Sequence, residues 1–111
     1  MPFQHKTLAA GRWQTLSLTE QMANIGSEIE RALSWRAKGD KETSQAAFFR
    51  ALELLDLSLA DPRHQGRRKE LSRVRENLVD FFAGDNTSRT TPEKLSAYFF
   101  AFTYAARNKT S

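Results

Sequence analysis

Apolar residues recur every three or four positions along most of this 111-residue chain, and no long segment alternates with period two. This spacing lines them up along one side of an α-helix, which turns once every 3.6 residues. Met22, Ile25, Ile29 and Leu33 give the clearest example. The pattern therefore predicts an all-α fold.

The first helix is expected over about 18–38. Ser17 and Glu20 have the spacing of a capping box, in which each side chain satisfies a free backbone N–H at the helix start. Gly39 supplies the left-handed residue that commonly ends a helix.

Three further helices follow, each opened by a residue that favours a helix N-terminus. Asp40, Asp61 and Thr91 are the expected N-caps, and a proline stands at the first position of the last two helices. These signals place the helices at about 41–60, at 62–83 and from Pro92 onward. Because short connections make successive helices antiparallel, we predict an up-down four-helix bundle.

Residues 1–16 lack the helical spacing and are interpreted as an irregular N-terminal arm. The bundle domain is expected over 17–111, a length that suits one domain with its own core. The second and fourth helices carry apolar residues on two faces, and the arm is expected to cover one of these extra faces. The apolar residues that it brings are Phe3, Leu8, Trp13 and Leu16.

A second copy of the chain is the expected cover for the other apolar face, because symmetric dimers are the commonest oligomers. Large apolar surfaces left exposed on a monomer usually mark an interface. A monomer with wide apolar stripes is the alternative. The candidate interface residues are Leu54, Leu57, Phe100 and Tyr104.

Arginines and one histidine crowd the stretch "DPRHQGRRKELSRVR" at the expected start of the third helix. Cations at a helix N-terminus oppose the helix dipole by ~0.3–1 kcal/mol each, so a compensating interaction is expected. In the favoured interpretation, Asp56, Asp61 and Glu53 neutralise them; in the alternative, they form an anion-binding pocket. The candidate anion-binding residues are Arg63, His64, Arg67, Arg68 and Arg75.

The composition argues against several other kinds of site. The chain has no cysteine and only two histidines, so we expect neither a thiolate or histidine-rich metal centre nor a cofactor. No apolar run approaches the ~20 residues that cross a bilayer, so no membrane partner and a cytoplasmic location are expected. The net charge of +4 is compatible with nucleic-acid binding but does not favour it.

The stretch "KGDKETSQAAFFRALEL" resembles the turn and second helix of one tetratricopeptide repeat, through Gly39, Asp40, Phe48 and the run 51–54. The resemblance implies a well-packed helical hairpin. A single unit of this kind does not form the peptide-binding groove of a repeat array.

A longer series, "MANIGSEIERALSW", "FFRALELLDLSLADPR" and "LVDFFAGDN", resembles a family of small prokaryotic helical-bundle proteins without an assigned function. In architecture the chain also resembles HEPN domains, which accompany nucleotidyltransferases. Catalytic HEPN domains carry an arginine and a histidine that are separated by four to six other residues. Positions 57–59 before His64 hold no arginine, which argues against ribonuclease activity.

We therefore expect a non-enzymatic helical bundle that acts through protein–protein contacts, as a homodimer. The alternative is a HEPN-like accessory domain that binds a nucleotide or RNA through the Arg63–Arg75 end.

Overall fold

Four α-helices and two short 3-10 helices make up residues 11–108, the part of the chain that this computed structural model describes. The predicted all-α bundle is confirmed, and the described residues contain no β-strand. The α-helices are α1 (Leu18–Ala37), α2 (Lys41–Ala60), α3 (Arg68–Ala83) and α4 (Pro92–Asn108), and the 3-10 helices are Trp13–Thr15 and Pro62–Arg67.

The predicted helix ends of α1 are confirmed. Ser17 Oγ accepts a hydrogen bond from the Glu20 N–H at 3.1 Å, and the Glu20 carboxylate accepts one from the Ser17 N–H at 2.8 Å. At the other end, Gly39 has φ 85°, and the Asp40 N–H donates to the Trp35 carbonyl. This left-handed turn directs the chain back into α2, whose N-cap is Asp40.

The third helix begins differently from the prediction. Asp61 caps the expected turn and Pro62 follows it, but residues 62–67 form a 3-10 helix. His64 leaves helical geometry there, with φ −104° and ψ 18°, and its ring is buried. The α-helix proper therefore starts at Arg68, six residues later than its capping signal indicates.

Hydrogen bonds between helices establish that α1 and α2, and likewise α2 and α3, run antiparallel, because the partner numbers fall along one helix as they rise along the other. These bonds join Ser44 to Ala32, Ser58 to Gln21, Gln45 to Phe82 and Arg75 to Asp56. Helix α1 packs against both α2 and α4, whereas the backbones of α3 and α4 hardly approach within 8 Å. The bundle is therefore open along its α3–α4 side.

The core lies between α1, α2 and the inner faces of α3 and α4. Phe48 of α2 stacks on Phe82 of α3, with 4.9 Å between ring centroids. The largest fully buried apolar side chains are Phe48, Phe99, Met22, Ile25, Ile29, Leu55, Leu71 and Leu78.

The expectation that Leu54 lies at a dimer interface is wrong, because Leu54 is only 5% exposed within the single chain. At about 100° per residue, Leu54 lies between Arg50 and Ser58 around α2. Arg50 pairs with Glu28 and Ser58 bonds to Gln21, and both of these partners belong to α1. Helix α1 thus covers the face that seemed from the sequence to need a second subunit.

Gly26 lets α1 and α4 approach each other closely. It is buried, and a Cβ atom added there would lie 2.8 Å from Cβ of Phe99. Real Cβ atoms do not tolerate that separation, and Cβ of Phe99 cannot move without its helix. The position of α4 on α1 therefore depends on the missing side chain of Gly26.

Gly26→Ala should lower the free energy of unfolding by about 1 kcal/mol, because overpacking costs roughly 1–3 kcal/mol and alanine returns ~1 kcal/mol of helix propensity. Gly66→Ala is the matched control, since nothing lies within 4 Å of a Cβ there. Urea denaturation measures both variants. Equal stability of the two would show that the α1–α4 contact tolerates a side chain at position 26.

Candidate functional site

Arg63 is held by a carboxylate of its own turn. Its Nε and terminal nitrogen both donate to the Asp61 carboxylate, at 2.6–3.2 Å, and the terminal nitrogen also donates to the Leu16 carbonyl at 2.9 Å. Asp61 is 5% exposed, and its hydrogen bond with Arg63 lowers the pKa of its carboxyl to about 2. Arg63 therefore links the segment before α1 to the turn after α2.

Two other candidate arginines are also paired with acids. Arg75 donates to Asp56 of α2 at 2.7 Å, as the sequence predicts for an acid of that helix. Arg67, the last residue of the 3-10 helix, pairs with Glu70 of α3 at 2.7 Å, rather than with an acid of α2. Glu53, the third acid expected to neutralise the arginines, makes no ion pair among the described residues.

Arg68 is exposed and has no ion-pair partner in residues 11–108, and the same holds for its neighbours Lys69 and Arg73. The three cations line one groove along the start of α3, named here the basic groove. Its other lining residues are Gln65, Gly66, Ser72 and Glu76. Of the five candidate anion-binding residues, the structure thus leaves only Arg68 both exposed and without an ion-pair partner.

His64 belongs to a buried hydrogen-bond network rather than to the basic groove. Its Nε2 lies 3.0 Å from Gln21 Oε1 and 3.5 Å from an Asp61 oxygen. Both neighbours are acceptors, so this nitrogen carries the proton. The ring is 7% exposed.

The same network fastens the segment before α1 to the bundle. The indole N–H of Trp13 donates to Ser58 Oγ at 3.2 Å, and the Ser58 hydroxyl donates to Gln21 Oε1 at 2.7 Å. The Gln21 amide nitrogen donates back to the Trp13 carbonyl at 2.9 Å. Trp13 is 7% exposed and Leu16 packs partly buried against the core, whereas Phe3 and Leu8 lie outside the described residues.

Sequence reasoning missed Gln21 and Ser58, although both are fully buried. A signal for them exists, because each polar residue occupies a position of an apolar stripe. Gln21 stands four residues before Ile25, and Ser58 stands four residues after Leu54. Buried polar side chains need partners, so a polar residue in a stripe predicts a buried hydrogen bond.

Burial lowers the pKa of His64 below its ordinary value of 6.5. The Asp61 carboxylate opposes this shift, while the Arg63 and Arg67 cations add to it. The imidazole is therefore stabilised in its neutral form. This state suits a structural hydrogen bond to the Gln21 amide oxygen.

A cleft lies between α3 and α4, where their backbones stay apart. Its floor includes Leu95 and Phe99, and Arg73 and Lys94 stand among its lining residues. Tyr98 also lines it and donates a hydrogen bond to Glu70 at 2.8 Å. Burial and this bond raise the pKa of the Tyr98 hydroxyl, so the tyrosine stays protonated and connects the two helices.

The remaining interface candidates lie mainly on the solvent side of α4. Phe100 and Tyr104 are 61% and 59% exposed, and their rings are 6.2 Å apart. Ala97, one turn before Phe100, and Ala101, next to Phe100, are also exposed. Together the four residues form an apolar stripe with helical spacing. We call these four residues the outer α4 stripe. Leu57 instead packs half-buried against the core.

Sequence reasoning found the two aromatic residues of the outer α4 stripe and missed its alanines, because it considered only large side chains. It also overlooked Phe49, which is 55% exposed on α2. Its neighbours around that helix are Gln45, Ala46, Leu52 and Glu53, of which only Ala46 is both apolar and exposed.

Comparison of the chain with known protein families, with curated proteins and with solved structures finds no match. Within residues 11–108, three or more histidine or acidic side chains nowhere form a group that could hold a metal ion. In the same range, no helix has the length and apolar character needed to cross a membrane.

Trp13→Ala should lower the free energy of unfolding by about 3–5 kcal/mol, the usual loss when a buried aromatic side chain is truncated. Phe49→Ala is the control, since it removes an aromatic ring that is mostly exposed, and we expect little change. Thermal and urea denaturation measure both. A small loss for Trp13→Ala would show that the segment before α1 does not stabilise the bundle.

Stability should fall as the pH is lowered from 7.5 to 5.5. The lowered pKa of His64 means that the unfolded chain binds a proton below about 6.5 where the folded chain does not, and this favours unfolding. Above that pH both forms are neutral, and the stabilisation is fully present. Asp61, with a pKa of about 2, stays ionised throughout this range.

Urea midpoints at the two pH values measure this change. His64→Gln, which keeps an N–H donor near Gln21, should abolish the fall, whereas His5→Gln should retain it. A fall that survives in His64→Gln would assign the pH dependence to another group.

Proposed function

We propose that this protein acts through protein–protein contacts, without catalysis, in the cytoplasm, the location that the sequence favours by default. The proposed partner is a second copy of the chain, and the outer α4 stripe is the proposed contact surface. The observation that carries the proposal is the apolar character of this solvent-facing stripe.

The outer α4 stripe has the spacing of a helix-packing surface. Ala97, Phe100, Ala101 and Tyr104 stand at i, i+3, i+4 and i+7, and all four are exposed. On a helix that already buries Leu95 and Phe99 on its inner side, a second apolar stripe has no role in the packing of residues 11–108. Contiguous exposed apolar surface of this kind usually marks an interaction site.

The stripe is also complementary to itself. When two copies of α4 pack antiparallel about a two-fold axis between Phe100 and Ala101, the ring of Phe100 faces Ala101 of the other copy. Tyr104 then faces Ala97 in the same way. Large side chains meet small ones throughout, as ridges-into-grooves packing requires.

Electrostatics favours the same antiparallel arrangement. Antiparallel pairing places the two helix dipoles in opposite directions, so that the positive end of each helix lies beside the negative end of the other.

A groove between α1 and α4 borders the outer α4 stripe and extends the surface that a second copy can bury. Gly26, Ser27 and Glu30 line it from α1, and Phe100 and Thr103 line it from α4. One helix face and its border bury less than the ~1,200 Å² of a standard stable interface. The expected dimer is therefore weak, with a dissociation constant on the order of micromolar.

A non-catalytic role accords with the state of the buried ionisable groups. His64 and Asp61 are bonded to Gln21 and Arg63, which belong to the framework of the fold. Both side chains are also buried, which leaves little of either accessible to a substrate.

At a protein concentration of about 100 μM, light scattering should give a mass approaching twice the 12.7 kDa of one chain. Ala101→Arg should return the mass to that of a monomer, because it places a long cation next to the proposed axis. Position 101 is exposed, so the single chain should remain folded.

Ala46→Arg is the matched control. It adds the same side chain at an exposed alanine of α2, away from the outer α4 stripe, and the dimer should persist. Circular dichroism checks that both variants keep their helices. A monomeric parent chain at 100 μM, or dissociation by both variants alike, would rule out the proposed contact.

A further inference from the structure

The arginines and lysines around the start of α3 fall into two groups. Arg63, Arg67 and Arg75 are neutralised by neighbouring carboxylates. Arg68, Lys69 and Arg73 have no such partner among residues 11–108 and are all exposed. The chain thus concentrates three uncompensated positive charges on one short surface.

Those charges repel one another, and two of them also face the positive end of the α3 dipole. Glu76 also lines the groove, but it forms no ion pair with any of the three cations among residues 11–108, so the groove keeps a net positive charge. Elsewhere in the same segment, Arg63, Arg67 and Arg75 each form an ion pair with a carboxylate. An anionic partner from outside the chain would supply the missing compensation at the basic groove.

The shape of the basic groove indicates an extended partner rather than a small one. It runs from Gln65 to Glu76 along the surface, and most of its lining side chains are exposed. Gly66 leaves its upper end open, since nothing lies within 4 Å of a Cβ there. A groove that is open along its length can accept a strand but encloses no small molecule.

The spacing of the cations suits consecutive phosphates. Lys69 and Arg73 are four residues apart on one side of α3, about 6 Å along the helix axis, and Arg68 lines the same groove next to Lys69. Phosphates advance by ~3.4 Å per nucleotide along one strand of a duplex, and by more when a single strand is extended. Two or three phosphates of one strand can therefore contact the groove at once.

From these observations we infer that the basic groove binds the phosphate backbone of single-stranded nucleic acid. Ser72 and Gln65 supply additional hydrogen-bond donors beside the cations. Among the described residues, the groove includes no aromatic side chain on which a base could stack, so its cations contact the phosphates alone. Since phosphate contacts carry no sequence information, binding is independent of base sequence, and it does not involve Arg63, His64 or Arg75.

Fluorescence anisotropy with labelled twelve-nucleotide polyuridine and polyadenine tests the inference. Both should bind with micromolar affinity at 50 mM salt and differ by less than about threefold. Three neutralised phosphates give a slope of roughly −2 in a plot of log K against log salt, so affinity should fall about 20-fold between 50 and 200 mM.

The double variant Arg68→Gln/Arg73→Gln should lower affinity at least tenfold and reduce the magnitude of the salt slope to below 1, since one cation remains. Lys38→Gln/Lys41→Gln is the matched control. It removes the same net charge at the α1–α2 turn, the opposite end of the bundle, and should bind as the parent does.

Circular dichroism and urea denaturation establish that both double variants remain folded. Three results would overturn the inference: no saturable binding up to 100 μM protein at 50 mM salt, equal losses in the two double variants, or a preference above tenfold for one base sequence. The second result would assign binding to overall charge rather than to the basic groove.

Discussion

The amide of Gln21 is the interaction on which the arrangement of this bundle most depends. Its oxygen accepts from Ser58 of α2 and from His64 of the 3-10 helix, and its nitrogen donates to the backbone of Trp13. One fully buried side chain therefore connects the segment before α1, the helix itself, α2 and the turn that follows α2. An unpaired polar group in that position would be strongly unfavourable, so each of these elements has to be in place for the others to be stable.

The sequence predicted the helices well, because their limits are set by local chemistry. The capping box at Ser17, the left-handed Gly39 and the cap at Thr91 act within a few residues of themselves. The start of α3 was mispredicted for the converse reason. Pro62 is a valid local start signal, but burial of His64 against α1 distorts the next turn. That contact joins residues 43 positions apart, so it cannot be predicted from local sequence patterns.

Long-range packing also explains which site residues could be predicted. Phe100 and Tyr104 were identified because aromatic residues on the side of a helix away from its core remain exposed whatever the neighbours do. Leu54 was misassigned because its exposure depends on where α1 crosses α2. The charged pairs divide in the same way: the sequence predicted that Asp56 and Asp61 would neutralise arginines of the cluster. It did not predict that Arg67 would pair with Glu70 while Arg68 has no ion-pair partner in the described chain.

Different buried contacts position the two proposed surfaces. The outer α4 stripe is positioned by the close contact of Gly26 with Phe99, whereas the basic groove is positioned by the 3-10 helix that His64 and Asp61 hold in place. Each surface therefore rests on its own buried contact, and the Gln21 network connects the elements that carry these contacts. In a dimer formed through α4, the two copies would carry two basic grooves related by the same two-fold axis. A nucleic-acid strand long enough to reach both grooves would, once bound to one, bind the second intramolecularly. The weak contacts of each groove with three cations would then combine into a higher overall affinity.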